Sequence, residues 1–125
     1  MQDSKPALLC GRRILVVEDD YFTAELLCSE LAAEGATVVG PVPRVGDALE
    51  LLAREAPPNA AVLDVDLDGE VSCPVADALR RQGVPFVLVT GYGRRDLPTA
   101  YGGVPHLHKP VSVHQLARAL LGQAS

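Results

Sequence analysis

Short apolar runs alternate along this chain with stretches whose apolar residues recur at helical spacing. Ile14-Leu15-Val16-Val17, Ala60-Ala61-Val62-Leu63 and Phe86-Val87-Leu88-Val89 are unbroken runs, and a weaker one, interrupted by Pro105 and His106, extends from Val104 to Leu107. Thr37-Val38-Val39 makes another, closed by Gly40-Pro41. Unbroken runs of this length are expected of strands covered on both faces, and their alternation with helices is the pattern of βα units. Between the runs, Phe22, Leu26, Leu27 and Leu31 predict a helix from Tyr21 to about Ala33, with Gly35 as its stop. Ala48, Leu49 and Leu52 predict one over 45–54, ended by Pro57-Pro58. A third is expected over 75–81, with Pro74 in its first turn. A last one is expected over 113–121, with Ser112 as N-cap and Leu116, Ala119 and Leu120 on its apolar face. The stretch from Gly91 to Gly103 carries Gly91, Gly93, Pro98, Gly102 and Gly103, so a fourth helix there is expected to be short or degraded.

These elements predict an α/β domain: a doubly wound, five-stranded parallel sheet in the flavodoxin-like order 2-1-3-4-5. At 125 residues, one domain is expected, with residues 1–11 as a flexible leader and 12–125 as the folded unit. Hydrophobic residues make up 48% and charged residues 22%, as in an ordinary globular domain. A net charge of -5 argues against nucleic acid as a partner, which requires a basic surface. Cys10, Cys28 and Cys73 show no paired spacing, which argues against a disulfide framework and a zinc ribbon and points to reduced thiols in the cytoplasm. No apolar run reaches membrane-spanning length, and none has the form of a signal peptide.

Four of the five strand-like runs end in a polar residue suited to phosphate or a divalent cation. The first runs into Glu18-Asp19-Asp20, the third into Asp64, the fourth into Thr90 and the last into His108-Lys109-Pro110. In an open parallel sheet ligands bind outside the carboxyl ends of the strands, so these groups would share one rim. Two carboxylates about 4 Å apart repel by roughly 4 kcal/mol at an effective dielectric near 20, so such a cluster needs a counter-ion. Hard oxygen donors favour Mg²⁺. The acid triplet alone also reads as the first turn of a helix, where carboxylates suit the helix dipole. Asp64-Val65-Asp66-Leu67-Asp68-Gly69 resembles the start of an EF-hand loop, but its twelfth position is Val75, where a bidentate Glu is required. The same D-x-D after a strand resembles a haloacid-dehalogenase-like phosphatase, with Asp64 as nucleophile and Asp66 as general acid. Lys109-Pro110 is more telling than Lys109 alone, because Pro110 pushes Lys109 toward an extended backbone.

Taken in order, Val17-Glu18-Asp19-Asp20, Leu63-Asp64, Val89-Thr90 and Lys109-Pro110 resemble the receiver domain of two-component response regulators. The resemblance covers about Arg13 to Gly122. It implies a Mg²⁺-dependent phosphoacceptor, Asp64, that takes a phosphoryl group from a histidine kinase or a histidine phosphotransfer protein. Glu18, Asp19 and Asp64, with the carbonyl of Asp66, would hold the metal; Thr90 and Lys109 would bind phosphoryl oxygens. The chain would then be no enzyme on other substrates, catalysing only its own phosphorylation and dephosphorylation. No Pro follows Asp64 within a few residues, and Thr90-Gly91-Tyr92 resembles an atypical subgroup of stand-alone receivers. His106 stands where such domains usually carry an aromatic switch residue, so Thr90, His106 and Tyr92 are the expected switch set. The chain ends one helix after Lys109, so a receiver without an output domain is expected, signalling through protein contact or phosphorelay. The first helix around Tyr21 and Phe22 and the turn at Pro110-Val111 are its expected docking surface. A receiver-like binding module that does not depend on phosphate, and the phosphatase, are the alternatives.

Overall fold

The computed structural model describes residues 9–64, 66, 67, 70, 71, 73–90, 105–108 and 111–121, and at 66, 67, 70, 71, 73, 90, 106 and 108 the backbone only. In chain order the elements are β1 (Arg13–Val17), α1 (Tyr21–Ala33), β2 (Thr37–Val42), α2 (Val45–Arg54), β3 (Ala60–Asp64), β4 (Asp66–Leu67), β5 (Glu70–Val71), α3 (Cys73–Arg81), β6 (Phe86–Thr90), β7 (His106–His108) and α4 (Val113–Leu121). The main sheet has the order β2-β1-β3-β6-β7, and its neighbouring strands all run parallel. The chain therefore has a flavodoxin-like α/β architecture.

Successive side chains of a strand point to opposite faces, and both faces are covered here. Leu15, Val17, Ala61, Leu63, Phe86 and Leu88 face Val45, Ala48 and Leu52 of α2 and Val75, Ala76 and Leu79 of α3. Ile14, Val16, Ala60, Val62, Val87 and Val89 face Leu27 and Leu31 of α1 and Leu116, Ala117 and Leu120 of α4. Unbroken apolar runs are thus needed because each neighbouring pair of strand residues feeds two cores. Both outer helices begin with local caps. The Asp20 carboxylate accepts from Thr23 N at 2.8 Å. At α4, Ser112 Oγ accepts from Gln115 N at 3.2 Å while Gln115 Oε1 accepts from Ser112 N at 3.0 Å, a reciprocal capping box.

Three details differ from the sequence reading. First, β2 does not close at Gly40-Pro41 but continues to Val42, because a bulge opposite β1 absorbs one residue: Leu15 pairs with Val39, and Val17 with Val42. Second, Leu9 falls inside the expected leader but is wholly buried in the α1/α4 core, and its N–H donates to the Glu34 carbonyl at 3.0 Å. Packing thus begins before Arg12. Third, β4 and β5 form a small antiparallel pair, with Asp66 opposite Val71, in a stretch where the sequence predicts no strand. The short fourth helix expected between Gly91 and Gly103 lies outside the described residues. No helix among the described residues is long and apolar enough to cross a membrane.

Candidate functional site

The site is built by strand register. Val17 at the end of β1 is paired with Leu63 of β3, so Glu18 emerges beside Asp64, the last residue of β3. Glu18 and Asp64 are the buried charged residues among those described, 3% and 5% exposed, while Asp19 is exposed. One carboxylate oxygen from each of Glu18, Asp19 and Asp64 lies within 4.8 Å of the other two.

The turn that carries the acids is held at three points. Glu18 N donates to the Val42 carbonyl of β2 at 3.1 Å. Asp20 N donates to Glu18 Oε2 at 3.0 Å. Asp20 Oδ2 accepts from both the backbone N (2.8 Å) and the hydroxyl (2.6 Å) of Thr23, with Asp20 itself in an extended conformation. The triplet therefore divides: Glu18 and Asp19 join the cluster, and Asp20 is the N-cap of α1. None of the three lies within the first turn of α1, where the helix reading puts them; all precede it.

A charged carboxylate pair 4.8 Å apart repels by about 3.5 kcal/mol at an effective dielectric of about 20. Burying carboxylates adds a desolvation penalty that a counter-charge must offset. Three hard oxygen donors in this arrangement fit a small oxygen-seeking cation such as Mg²⁺, which takes one or two carboxylates and retains waters.

Asp64 is paired with Val89 of β6, so the backbone of Thr90 reaches the same rim, and Thr90 is paired with His108 of β7. His106 is opposite Leu88. The side chains of Asp66, Thr90 and His106, and all of Tyr92 and Lys109, lie outside the described residues. Of the sequence-predicted site residues, the structure thus brings together Glu18, Asp19 and Asp64.

Beside this cluster, α1 presents Tyr21, Phe22 and Leu26 to solvent, 67%, 79% and 53% exposed. Tyr21 and Phe22 meet edge to face, with ring centroids 5.6 Å apart. The Tyr21 hydroxyl donates to Glu25 Oε2 at 2.9 Å, and that bond, with the carboxylate charge, raises the phenol pKa. On the β2 side of the helix, Tyr21, Ala24, Glu25, Cys28, Ser29 and Pro41 line a groove of ≈ 390 Å³. Burial there, and then the Glu25 charge, raise the pKa of the Cys28 thiol. Sequence reasoning missed Val42, whose carbonyl accepts from the Glu18 N–H, and the bulge that precedes it. Gly40-Pro41 reads as the end of a strand, and a bulge leaves no sharper signal in one sequence.

Comparison with known proteins found no matching family model. The chain is 37% identical over 112 residues to an uncharacterised 14.6 kDa protein encoded in the sodA1 3′ region of Leptolyngbya boryana, covering 84% of each. It is 28% identical over 113 residues to the transcriptional regulatory protein PdtaR of Mycobacterium tuberculosis, covering 87% of this chain but 55% of PdtaR, so it spans about half the length of that relative. Among solved structures, SdrG from Sphingomonas melonis Fr1 superposes with a TM-score of 0.81 at 35% identity, over 94% of this chain and 98% of SdrG. The receiver domain of TorR, the response regulator of the TMAO respiratory system, superposes with a TM-score of 0.75 at 26% identity, over 90% and 96%.

Proposed function

Since the chain belongs to the receiver-domain family of response regulators, we propose that it accepts a phosphoryl group on Asp64 in a Mg²⁺-dependent reaction and signals by protein contact or phosphorelay. The observation that carries this reading is the convergence of the Glu18, Asp19 and Asp64 carboxylates within 4.8 Å at the carboxyl ends of adjacent parallel strands. The whole unit from 12 to 125, extended by the packing of Leu9, is proposed as one receiver domain acting in the cytoplasm.

In this mechanism Asp64 is the nucleophile. Its carboxylate oxygen forms a bond to the phosphorus of a phosphohistidine or a small phosphodonor as the bond to the donor breaks, leaving an aspartyl phosphate. Glu18, Asp19 and Asp64, with the Asp66 carbonyl, are the residues that would hold Mg²⁺. When bound, the cation would neutralise charge on the phosphoryl oxygens. Thr90 and Lys109 are assigned to those same oxygens, the first by its hydroxyl and the second as a compact positive charge. Catalysis in this scheme is positioning and charge neutralisation, as in phosphoryl transfer generally. Thr90, His106 and Tyr92 are proposed as the switch set that shifts a pre-existing equilibrium upon phosphorylation. The phosphodonor, a histidine kinase or histidine phosphotransfer protein, is proposed to dock on α1 around Tyr21 and Phe22 and on the turn at Pro110-Val111. The exposure of Phe22 and Leu26 supports a partner there, since large apolar side chains clustered in water mark interaction sites.

The test is incubation with acetyl phosphate and Mg²⁺, read by intact mass and phosphate-affinity gel. Wild type is expected to gain one labile phosphoryl group, which is lost with EDTA present during loading and in Asp64→Asn. Labelling that survives in Asp64→Asn refutes the acceptor assignment. A wild type that takes no label from acetyl phosphate or from any kinase favours the phosphate-independent module, and turnover of many phosphoesters favours the phosphatase.

A further inference from the structure

We propose that Gly40 is a positioning residue for the carboxylate cluster: it permits the β2 bulge that brings the Val42 carbonyl to the backbone of Glu18. The proposal rests on the cation-binding reading given above.

Along β1 the pairing advances from Leu15 to Val17, and along β2 from Val39 to Val42, so β2 carries one extra residue directly before the acid turn. Gly40 sits within that extra length at φ +97°, a conformation that residues with a Cβ rarely adopt. A Cβ on Gly40 would lie 2.9 Å from Val42 N and 3.1 Å from Val16 O. Both obstacles are main-chain atoms, one in its own strand and one in the neighbour. Neither can swing aside as a side chain would, so an added methyl forces β2 away from β1 at the bulge. The consequence falls on Glu18, whose N–H donates to Val42 O at 3.1 Å. Glu18 is the first residue past β1 and one of the two buried carboxylates among the described residues, and its Oε2 in turn accepts from Asp20 N. Displacing Val42 therefore loosens the acid turn while Asp64, paired with Val89 of β6 and not with β2, stays in place. A side chain that orients metal ligands without touching the metal typically changes affinity 10–100-fold when altered.

The test is calorimetric titration of the full chain with Mg²⁺ alone, in wild type, Gly40→Ala and Gly83→Ala. Gly83 is the matched control. It also has positive φ, +72°, but nothing within 4 Å of an added Cβ, and it follows α3 away from the acids. Gly40→Ala is expected to bind Mg²⁺ at least about tenfold more weakly, with Gly83→Ala unchanged. Equal binding by wild type and folded Gly40→Ala overturns the proposal. Should Gly40→Ala fail to fold, amide exchange on wild type decides. The Glu18 N–H is expected to exchange as slowly as the interior amides of β1, and exchange at the rate of an open loop overturns the proposal. A wild type that binds no Mg²⁺ overturns the cation reading itself, a result distinct from either of these.

Discussion

Replacing Asp64 by Asn should stabilise the metal-free protein while removing its response to Mg²⁺. The substitution keeps the shape of the side chain and deletes one charge from the cluster. Asp64 and Glu18 are both buried, and their oxygens lie within 4.8 Å, so their repulsion is about 3.5 kcal/mol at an effective dielectric of about 20. Asp19 is exposed, and its repulsion with Asp64 is closer to the bulk-water figure of about 1 kcal/mol. Discounted for screening at the rim, the expected gain is about 2–4 kcal/mol, or a rise in Tm on the order of 10 °C for a domain of this size. The measurement is thermal unfolding of wild type and Asp64→Asn in EDTA, repeated with increasing Mg²⁺. Wild type should recover the difference as the cation binds, by about 2.7 kcal/mol when Mg²⁺ reaches a hundred times its Kd, and the variant should respond much less. Added NaCl should narrow the gap in EDTA only partly, because the buried pair is poorly screened. An Asp64→Asn protein no more stable than wild type in EDTA, or one that Mg²⁺ stabilises equally, would refute the idea that these carboxylates repel across a shared cation site.

The division of the acid triplet gives a second prediction. Asp20→Ala removes two hydrogen bonds to Thr23 and should lower stability by about 1 kcal/mol in urea unfolding, with Mg²⁺ affinity changed less than twofold. A loss of Mg²⁺ binding comparable to that of Asp19→Asn would show that Asp20 is a ligand after all. The thiols give a third. Burial and the Glu25 charge raise the Cys28 pKa, so at pH 8 less of it is thiolate and iodoacetamide should modify it more slowly than the exposed Cys10. Glu25→Gln should speed Cys28 labelling by removing the nearby negative charge. Peptide mapping by mass spectrometry measures both rates, and faster labelling of Cys28 than of Cys10 in wild type would contradict the assignment.

What the amino-acid sequence by itself determined is local. Unbroken apolar runs such as Val62-Leu63 and Val87-Leu88 marked strands covered on both sides, because adjacent residues must each find an apolar neighbour. The start of the last helix was legible at Ser112, since a cap bonds to residues within one turn of itself, whereas the capping role of Asp20 was not. That acids, a hydroxyl and a lysine follow the runs was also legible, and with it the resemblance to receivers. Tertiary structure alone decided the rest. The meeting of Glu18 with Asp64 depends on Val17 pairing with Leu63, a register between strands far apart in sequence that no local pattern specifies. The burial of Leu9, the extension of β2 to Val42 and the hold of Val42 on Glu18 depend likewise on which strand and helix surfaces come together. Periodicity states which face of an element is buried. Only the packed sheet states what lies opposite it, because hydrogen-bond register and bulges are properties of two strands and not of one.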